Sequence, residues 1–430
     1  MTSSSIPPKE SDPNVLTYSL GDFTLLSGAV IPDAYIAYRT FGSSSNPTIL
    51  YPTWYSGDIT SGNEWLVSTA EHPRRGLDPE KYYIVLVALF GNGQSTSPSN
   101  HPLRQNLPPA TVYDNVRAQH QLLTEGLGIH KLRMVTGWSM GAAQSYQWAT
   151  QYPDMVETIA PFCGSARTSF HNQIFIDGFT APLRADQSFA NGAYTSQPIA
   201  GLKGVGHVYA GWGMSQTWYR QQIYTSHYGH KTLQEHLTKL WEGWTCSRDA
   251  NDMLYLAWTW LHADVGAQPL YAGESKLDVP VKEGGRMGLR GQLDFDPIPE
   301  DDQAFERALR GIKAQSILMP CRHDVSRNFG ACPFPSTKSL SREFKVTLLL
   351  LSPSLAHLSP DQLYFPPEDT QIEARIMGPK ARMIVCESIW GHFAGKGDNE
   401  EDAAFFDGHI ADLLESVEKE MGAEGDKGKM

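Results

Sequence analysis

The sequence predicts an α/β protein: a mostly parallel central sheet flanked by helices, with a helical segment inserted into it. Two observations predict it. Short apolar runs rich in β-branched and aromatic residues alternate with stretches of helical periodicity between residues 48 and 153, the pattern of a parallel sheet with helices packed on it. The same alternation resumes after residue 313, and the stretch between reads as helical and unusually aromatic. At 430 residues the chain is one large domain with an insertion, or two domains.

Residues 1–20 read as a flexible leader. "MTSSSIPPKESDPN" has no apolar core and is not read as a secretory signal. "TILYPTWY" (48–55) and "YYIVLVALF" (82–90) read as strands, each running into a Gly/Ser/Asn/Pro cluster. Val112, Val116, Leu122, Leu123 and Leu127 fall near helical spacing, with Gly128 as a stop. "LRMVTG" is a further strand, and "AAQSYQWATQY" a helix ended by Pro153. Residues 168–290 form the helical insertion, a lid that holds Trp212, Trp218, Trp241, Trp244, Trp258 and Trp260, six of the eleven tryptophans. Any one of these serves a helical core, since large aromatics dominate cores; together they also suit an apolar wall over a pocket. "AQSILMPC" (314–321) and "ARMIVCES" (381–388) restore the strand pattern, so that 21–167 and 291–415 make the core. Residues 416–430 are read as a solvated tail.

Composition excludes several classes of function. A net charge of −12 would repel a phosphate backbone, so no nucleic acid is expected as partner. No apolar run, "YYIVLVALF" (82–90) and "VTLLLLS" (346–352) included, approaches the ~18 residues of a spanning helix, so no membrane partner is expected. Five cysteines without CxxC spacing fit free thiols in a reducing, cytoplasmic setting. The closing "GKM" is only faintly like a peroxisomal address. No HExxH or paired-cysteine pattern points to a metal, and "GLKGVGH" (201–207) lacks the strand and the acid of a dinucleotide fingerprint. No bound cofactor is expected.

Gly137-Trp138-Ser139-Met140-Gly141 lies between a strand and a helix. A chain that reverses there needs small residues on both sides of the serine, and the turn lifts Ser139 Oγ above the sheet edge at a helix N-terminus. The Met140 N–H then points to where an oxyanion develops. A serine hydroxyl is unreactive without a base. His392, in the glycine-flanked loop "SIWGHFAG" after the last strand, stands in the right chain order to supply one. A second oxyanion donor is expected on the loop after an early strand, where "LYPTWYSG" offers the N–H of Trp54.

"VYDNVRAQHQLLTEGLGI", "GWSMGAAQSYQWA", "LFGNGQSTSPSN" and "SIWGHFAG" in this order resemble the homoserine O-acetyltransferase family of α/β-hydrolase-fold proteins, over about residues 20 to 415. The resemblance implies the α/β-hydrolase fold with a helical lid, acyl-enzyme chemistry on Ser139 with His392 as base, and an oxyanion loop from Pro52 to Tyr55. It implies no metal or redox cofactor; the partners are a small-molecule acyl donor and acceptor, with acyl-CoA a candidate co-substrate. Two departures argue against homoserine as the acceptor. The elbow carries Trp138 and Ala142 where the family pattern has glycines. In "SRDANDMLYL" (247–256), Arg248 stands one position along from the family's substrate-gripping arginine, a swing of ~100° on a helix. Arg167 in "GSARTSF" could also meet an anionic substrate group, although an ordinary structural arginine is the favoured account.

The family pattern expects an acid within a Met-Pro-Cys-x-x-Asp-Leu-Tyr-Phe-Pro-Pro-Glu-Asp stretch. This chain has "MPCRHD", ending at Asp324, and "LYFPPED", starting at Leu363, with residues 325–362 between them matching nothing. Asp324 is therefore the expected orienting acid, and Asp361 the fallback. Val325-Ser326 can be encoded by a splice-donor sequence and Gln362 by a splice-acceptor end, so the segment reads as a retained intron translated in phase, with a genuine long loop as the alternative. The expectation for the whole is acyl transfer through an acyl-serine, the enclosed aromatic lid favouring transfer over hydrolysis. The alternatives are an esterase of the same fold and a non-catalytic binding protein with an impaired triad.

Overall fold

A computed structural model of the chain describes residues 12–60, 65–190, 193–194, 196–271, 301–322 and 365–427. In chain order the strands are β1 (Leu16–Thr24), β2 (Val30–Phe41), β3 (Thr48–Pro52), β4 (Tyr83–Val87), β5 (Met134–Trp138), β6 (Thr158–Phe162), a small hairpin β7 (Phe189–Ala190) and β8 (Ala193–Tyr194), then β9 (Gln315–Leu318), β10 (Cys321–Arg322), β11 (Ala381–Met383) and β12 (Cys386–Glu387). The main sheet runs β1-β2-β4-β3-β5-β6-β9-β11. β1 and β2 join it antiparallel, and every pairing from β4 to β11 is parallel.

Both faces of the parallel part are covered, which is why its strands are near-continuous apolar runs. Ile49, Tyr51, Ile84, Leu86 and Met134 enter one core. Their strand neighbours Leu50, Val85, Val87 and Val135 enter the other. Two helices pack next to the site. α1 (Val112–Gln121) opens on a capping box in which the Thr111 side chain accepts from Asp114 N and the Asp114 side chain accepts from Thr111 N. α2 (Met140–Gln151) is buried from Met140 to Thr150.

Between β6 and β9 the described residues are mostly helical, as the lid reading expects: α3 (Phe170–Ala185), α4 (Ile199–Gly213), several short turns, and α5 (Ala250–Leu261). The aromatics do fill a core. Trp218 and Trp241 are wholly buried, and Phe179, Tyr209 and Trp260 gather around the Tyr55 ring at 5.4, 5.9 and 5.9 Å. That cluster seats the lid on the loop after β3. α6 (Asp302–Gly311), α7 (Pro367–Met377) and α8 (Glu400–Lys427) complete the molecule. Among the described residues no helix is long and apolar enough to cross a membrane.

Five differences from the sequence reading have physical causes. β1 begins at Leu16, inside the segment 1–20 read as flexible, because it pairs with β2 from Leu16 onward. α8 runs on to Lys427, through the segment 416–430 read as a tail, and its buried Leu414 and Val417 hold it to the core. The β1–β2 hairpin is not among the expected elements, because register shifts at Ser19/Gly21 and Gly21/Phe23 break its period-2 pattern. The strand expected over 48–55 stops at Pro52, which frees residues 53–55 for the loop above the elbow. The runs 314–321 and 381–388 are each two short strands; β9 ends before Pro320, and the chain resumes pairing as β10 beside β12.

Candidate active site

The strand-to-helix turn is as tight as its glycines suggest. Ser139 sits at φ 58°, ψ −119°, a conformation costly for a side-chain-bearing residue and held only by its surroundings. A Cβ on Gly137 would stand 2.7 Å from the Gly141 backbone, and one on Gly141 would stand 2.7 Å from the Pro52 carbonyl oxygen. The two glycines thus let β5, α2 and the end of β3 approach one another. Ser139 N–H donates to Phe162 O at 3.1 Å, tying the elbow to β6.

The elbow and the C-terminal loop meet as the chain order expects. His392 Nε2 lies 3.1 Å from Ser139 Oγ, and the two residues are 6% and 4% exposed. A short 3₁₀ segment, Gly391–Lys396, carries the histidine beyond β12. Its approach is anchored behind by Ser388, whose hydroxyl donates to Asp402 at 2.7 Å and accepts from Trp390 N at 3.1 Å. Burial holds the Asp402 carboxyl above its usual range. Phe365 stands 5.4 Å from the His392 ring.

Met140 and Trp54, the two expected oxyanion donors, belong to the elbow helix and to the loop after β3. Met140 is the first residue of α2, so its N–H is one of the groups a helix leaves without an internal partner. Trp54 follows β3 in the loop that crosses the first turn of α2. Sequence reasoning missed what fixes this loop. Gln144 Nε2 donates to Thr53 O at 2.8 Å, Gln119 Nε2 donates to Gln144 Oε1 at 2.6 Å, and Trp148 Nε1 donates to Gln119 Oε1 at 2.7 Å. All three side chains are buried. The signal was present: a glutamine five residues past the serine, on a helix buried from Met140 to Thr150, has to be satisfied by something.

The two candidate arginines have separate fates. Arg167 is bound to Asp264 at 2.7 Å and to Asp302 at 2.8 Å, with its guanidinium 4.0 Å over Phe305. It therefore ties the base of the lid to α6, a structural role, and these carboxylates take the charge that a substrate anion would have met. Arg248 lies beside the oxyanion loop, 3.8 Å from Asp58, a carboxylate only 5% exposed. Burial lowers the Arg248 pKa, and the Asp58 charge opposes that shift. Asp324, Asp361 and the segment 325–362 lie outside the described residues.

No protein-family model matches the chain. Comparison with curated proteins finds a probable esterase of Corynebacterium glutamicum, 35% identical over 58% of this chain and 72% of the relative. An ethyl acetate hydrolase of Pseudomonas veronii is 30% identical over 71% and 79% of the two chains. A homoserine O-acetyltransferase of Geobacter sulfurreducens is 29% identical over 70% and 88%. The chain belongs to the homoserine O-acetyltransferase-like family of the α/β hydrolases. Among solved structures, an acetylester hydrolase from Corynebacterium glutamicum superposes with a TM-score of 0.72 at 27% identity, over 93% of this chain and 96% of that one. As a member of this α/β-hydrolase family the chain is an enzyme of acyl transfer or ester hydrolysis.

Proposed function

We propose that the chain is a serine esterase that hydrolyses small uncharged esters through an acyl-Ser139 intermediate. The observation that carries this is the buried pair of Ser139 Oγ and His392 Nε2 at 3.1 Å, set at the N-terminus of α2. In the proposed sequence His392 takes the Ser139 proton as Oγ attacks the ester carbonyl carbon. The Met140 and Trp54 amides receive the charge that develops on the carbonyl oxygen. The imidazolium then protonates the departing alcohol. Water attacks the acyl-serine with His392 as base, and the carboxylic acid leaves. Asp324 is the proposed acid that orients His392 and stabilises its charged form without taking the proton.

Small uncharged esters are favoured by the aromatic walls, since Trp54, Trp138 and Phe365 gather around the elbow and His392. The esterase relatives, one of them an ethyl acetate hydrolase, support that choice. Arg248 supports it as well, because Asp58 cancels the field that a lone carboxylate would seek. The same Arg248–Asp58 pair favours a second reading, transfer to a zwitterionic amino alcohol whose two charges would meet the two residues, with acyl-CoA as donor. A cytoplasmic setting is supported by the buried free thiols of Cys163, Cys321 and Cys386.

The deciding experiment has two parts. Intact-mass measurement after a fluorophosphonate probe should show one adduct on the full chain and none on Ser139→Ala; no adduct on either would overturn the serine-enzyme reading. Release of acetate from ethyl acetate or p-nitrophenyl acetate is then followed with and without homoserine and acetyl-CoA. Turnover in water alone supports the esterase, and turnover only with an acceptor overturns it in favour of transfer. Asp324→Asn should slow labelling by about 10⁴-fold and Asp361→Asn should not.

A further inference from the structure

Trp138 immediately precedes the nucleophile, in a place where the family pattern has glycine. Its indole Nε1–H donates to the backbone carbonyl of His392 at 3.1 Å. Its ring lies 4.9 Å from the His392 imidazole at an interplanar angle of 31°, and Phe393 meets it edge-on at 5.8 Å. On its other side the Trp54 ring stands edge-on at 4.7 Å. A Cβ on Gly395 would collide with the indole at Cδ1, so the loop 391–396 closes onto the ring with no room to spare. The side chain is 3% exposed. One rigid side chain thus touches the oxyanion loop, the elbow from which it springs, and the loop that carries the base.

We propose that Trp138 is a positioning residue that sets the reach of His392 to Ser139. His392 sits on one short 3₁₀ segment in a glycine-rich loop, with no strand or long helix of its own to hold it. Its Nε2 has to stay within hydrogen-bond reach of Oγ for proton transfer, and a displacement of ~1 Å costs on the order of 10²-fold in rate. The indole N–H fixes the His392 carbonyl, and the ring face blocks rotation of the imidazole toward β5. Because Trp138 and Ser139 are consecutive on a constrained turn, the base is referenced directly to the nucleophile. In a relative with glycine at this position, that reference has to come from elsewhere in the lid or core.

The proposal rests on Ser139 and His392 acting as nucleophile and base, and the test separates the two ideas. The rate of fluorophosphonate labelling and the kcat and KM for p-nitrophenyl acetate are measured for the full chain, Trp138→Phe, Trp138→Ala, Gly395→Ala and the Gly395→Ala variant combined with Trp138→Phe and with Trp138→Ala, each with its melting temperature. Trp138→Phe keeps a ring and loses the N–H, and should slow labelling and kcat by roughly 5- to 10-fold at unchanged KM. Trp138→Ala should lose about 10²-fold. Gly395→Ala presses on the same contact from the loop side, and should be slow alone but cost little more when combined with Trp138→Ala. A purely structural indole would lower the melting temperature and leave the rate per folded molecule unchanged, which overturns the proposal. So does a Gly395→Ala penalty that persists undiminished without the indole. If Trp138→Ala does not fold, Trp138→Phe and Gly395→Ala decide the matter. Absence of labelling in the unmodified chain strikes the nucleophile reading instead.

Discussion

Gln144, five residues past the nucleophile, ties the oxyanion loop to the nucleophile helix. Its amide donates to Thr53 O and accepts from Gln119 in a fully buried chain that ends at Trp148. Buried networks of this kind are costly to leave half-satisfied. Gln144→Leu should reduce kcat for p-nitrophenyl acetate by about 10²-fold with KM little changed, because a loosened donor fails the transition state more than the bound ester. A change in KM alone would place the loop in substrate binding instead. Arg248 separates the two functional readings at the same scale. Arg248→Met should leave KM for a neutral acetate ester within roughly 2-fold if the pair with Asp58 only lines the site, whereas a KM for homoserine, if transfer occurs, should rise by about 10-fold or more.

At the scale of elements, the site is the meeting of three chain ends: β3, β5 with α2, and the loop after β12. Their separation is set by glycines in contact with backbone. Gly141→Ala puts a Cβ 2.7 Å from Pro52 O, with no flexible side chain to give way. It should push the Thr53–Trp54 segment off the elbow and lower the labelling rate by about 10- to 100-fold while far-UV circular dichroism stays unchanged. The same replacement at Gly211, where a Cβ would meet nothing within 4 Å, is the matched control and should be silent. The lid is bound to the base loop as well as to the core. Ser215 Oγ donates to Ile389 O, Tyr228 OH donates to Asp398 at 2.9 Å, and Trp218 packs edge-on against Trp390 at 5.7 Å. The lid therefore supports the loop of the base as well as covering the site.

For the whole molecule, two buried carboxyls make stability depend on pH in a defined direction. Glu373 on α7 accepts from Ala166 N at 2.7 Å and lies 2.7 Å from Tyr146 OH, and burial pushes its pKa up to about 8. Asp252 on α5, held by Ser99, is likewise pushed up to about 8 by burial and by the nearby Asp249. Each folded pKa exceeds the unfolded value, so folding takes up protons. The stabilisation is complete below the unfolded carboxyl range and is lost as pH rises through about 8. Above about pH 6.5, where the buried imidazoles of His236 and His262 are neutral in both states, the urea midpoint should fall toward pH 8, and Glu373→Gln should make that fall shallower. A slope unchanged in Glu373→Gln would mean that the carboxyl is already ionised in the folded chain.

Local sequence was enough for the parallel sheet, the elbow and the pairing of Ser139 with His392. Apolar runs set the strands. Glycine spacing set the turn, and chain order along a parallel sheet brings the ends of successive strands to one edge. The hairpin β1–β2 was not legible, because its bulges interrupt the alternation on which a strand is recognised. Nor was the choice between the two arginines: both are single cations in loops or helix ends, and only folding gave Arg167 two carboxylates at the base of the lid and put Arg248 beside Asp58. Gln144 and Trp138 belong to the same class. Their partners are 91 and 254 residues away in the chain, and no local pattern encodes which distant carbonyl a buried donor will find. Sequence determined the chemistry on offer, because the reactive groups and the turn that exposes one of them are local properties. Tertiary structure decided how those groups are held, because buried polar atoms are satisfied by whatever packing brings to them.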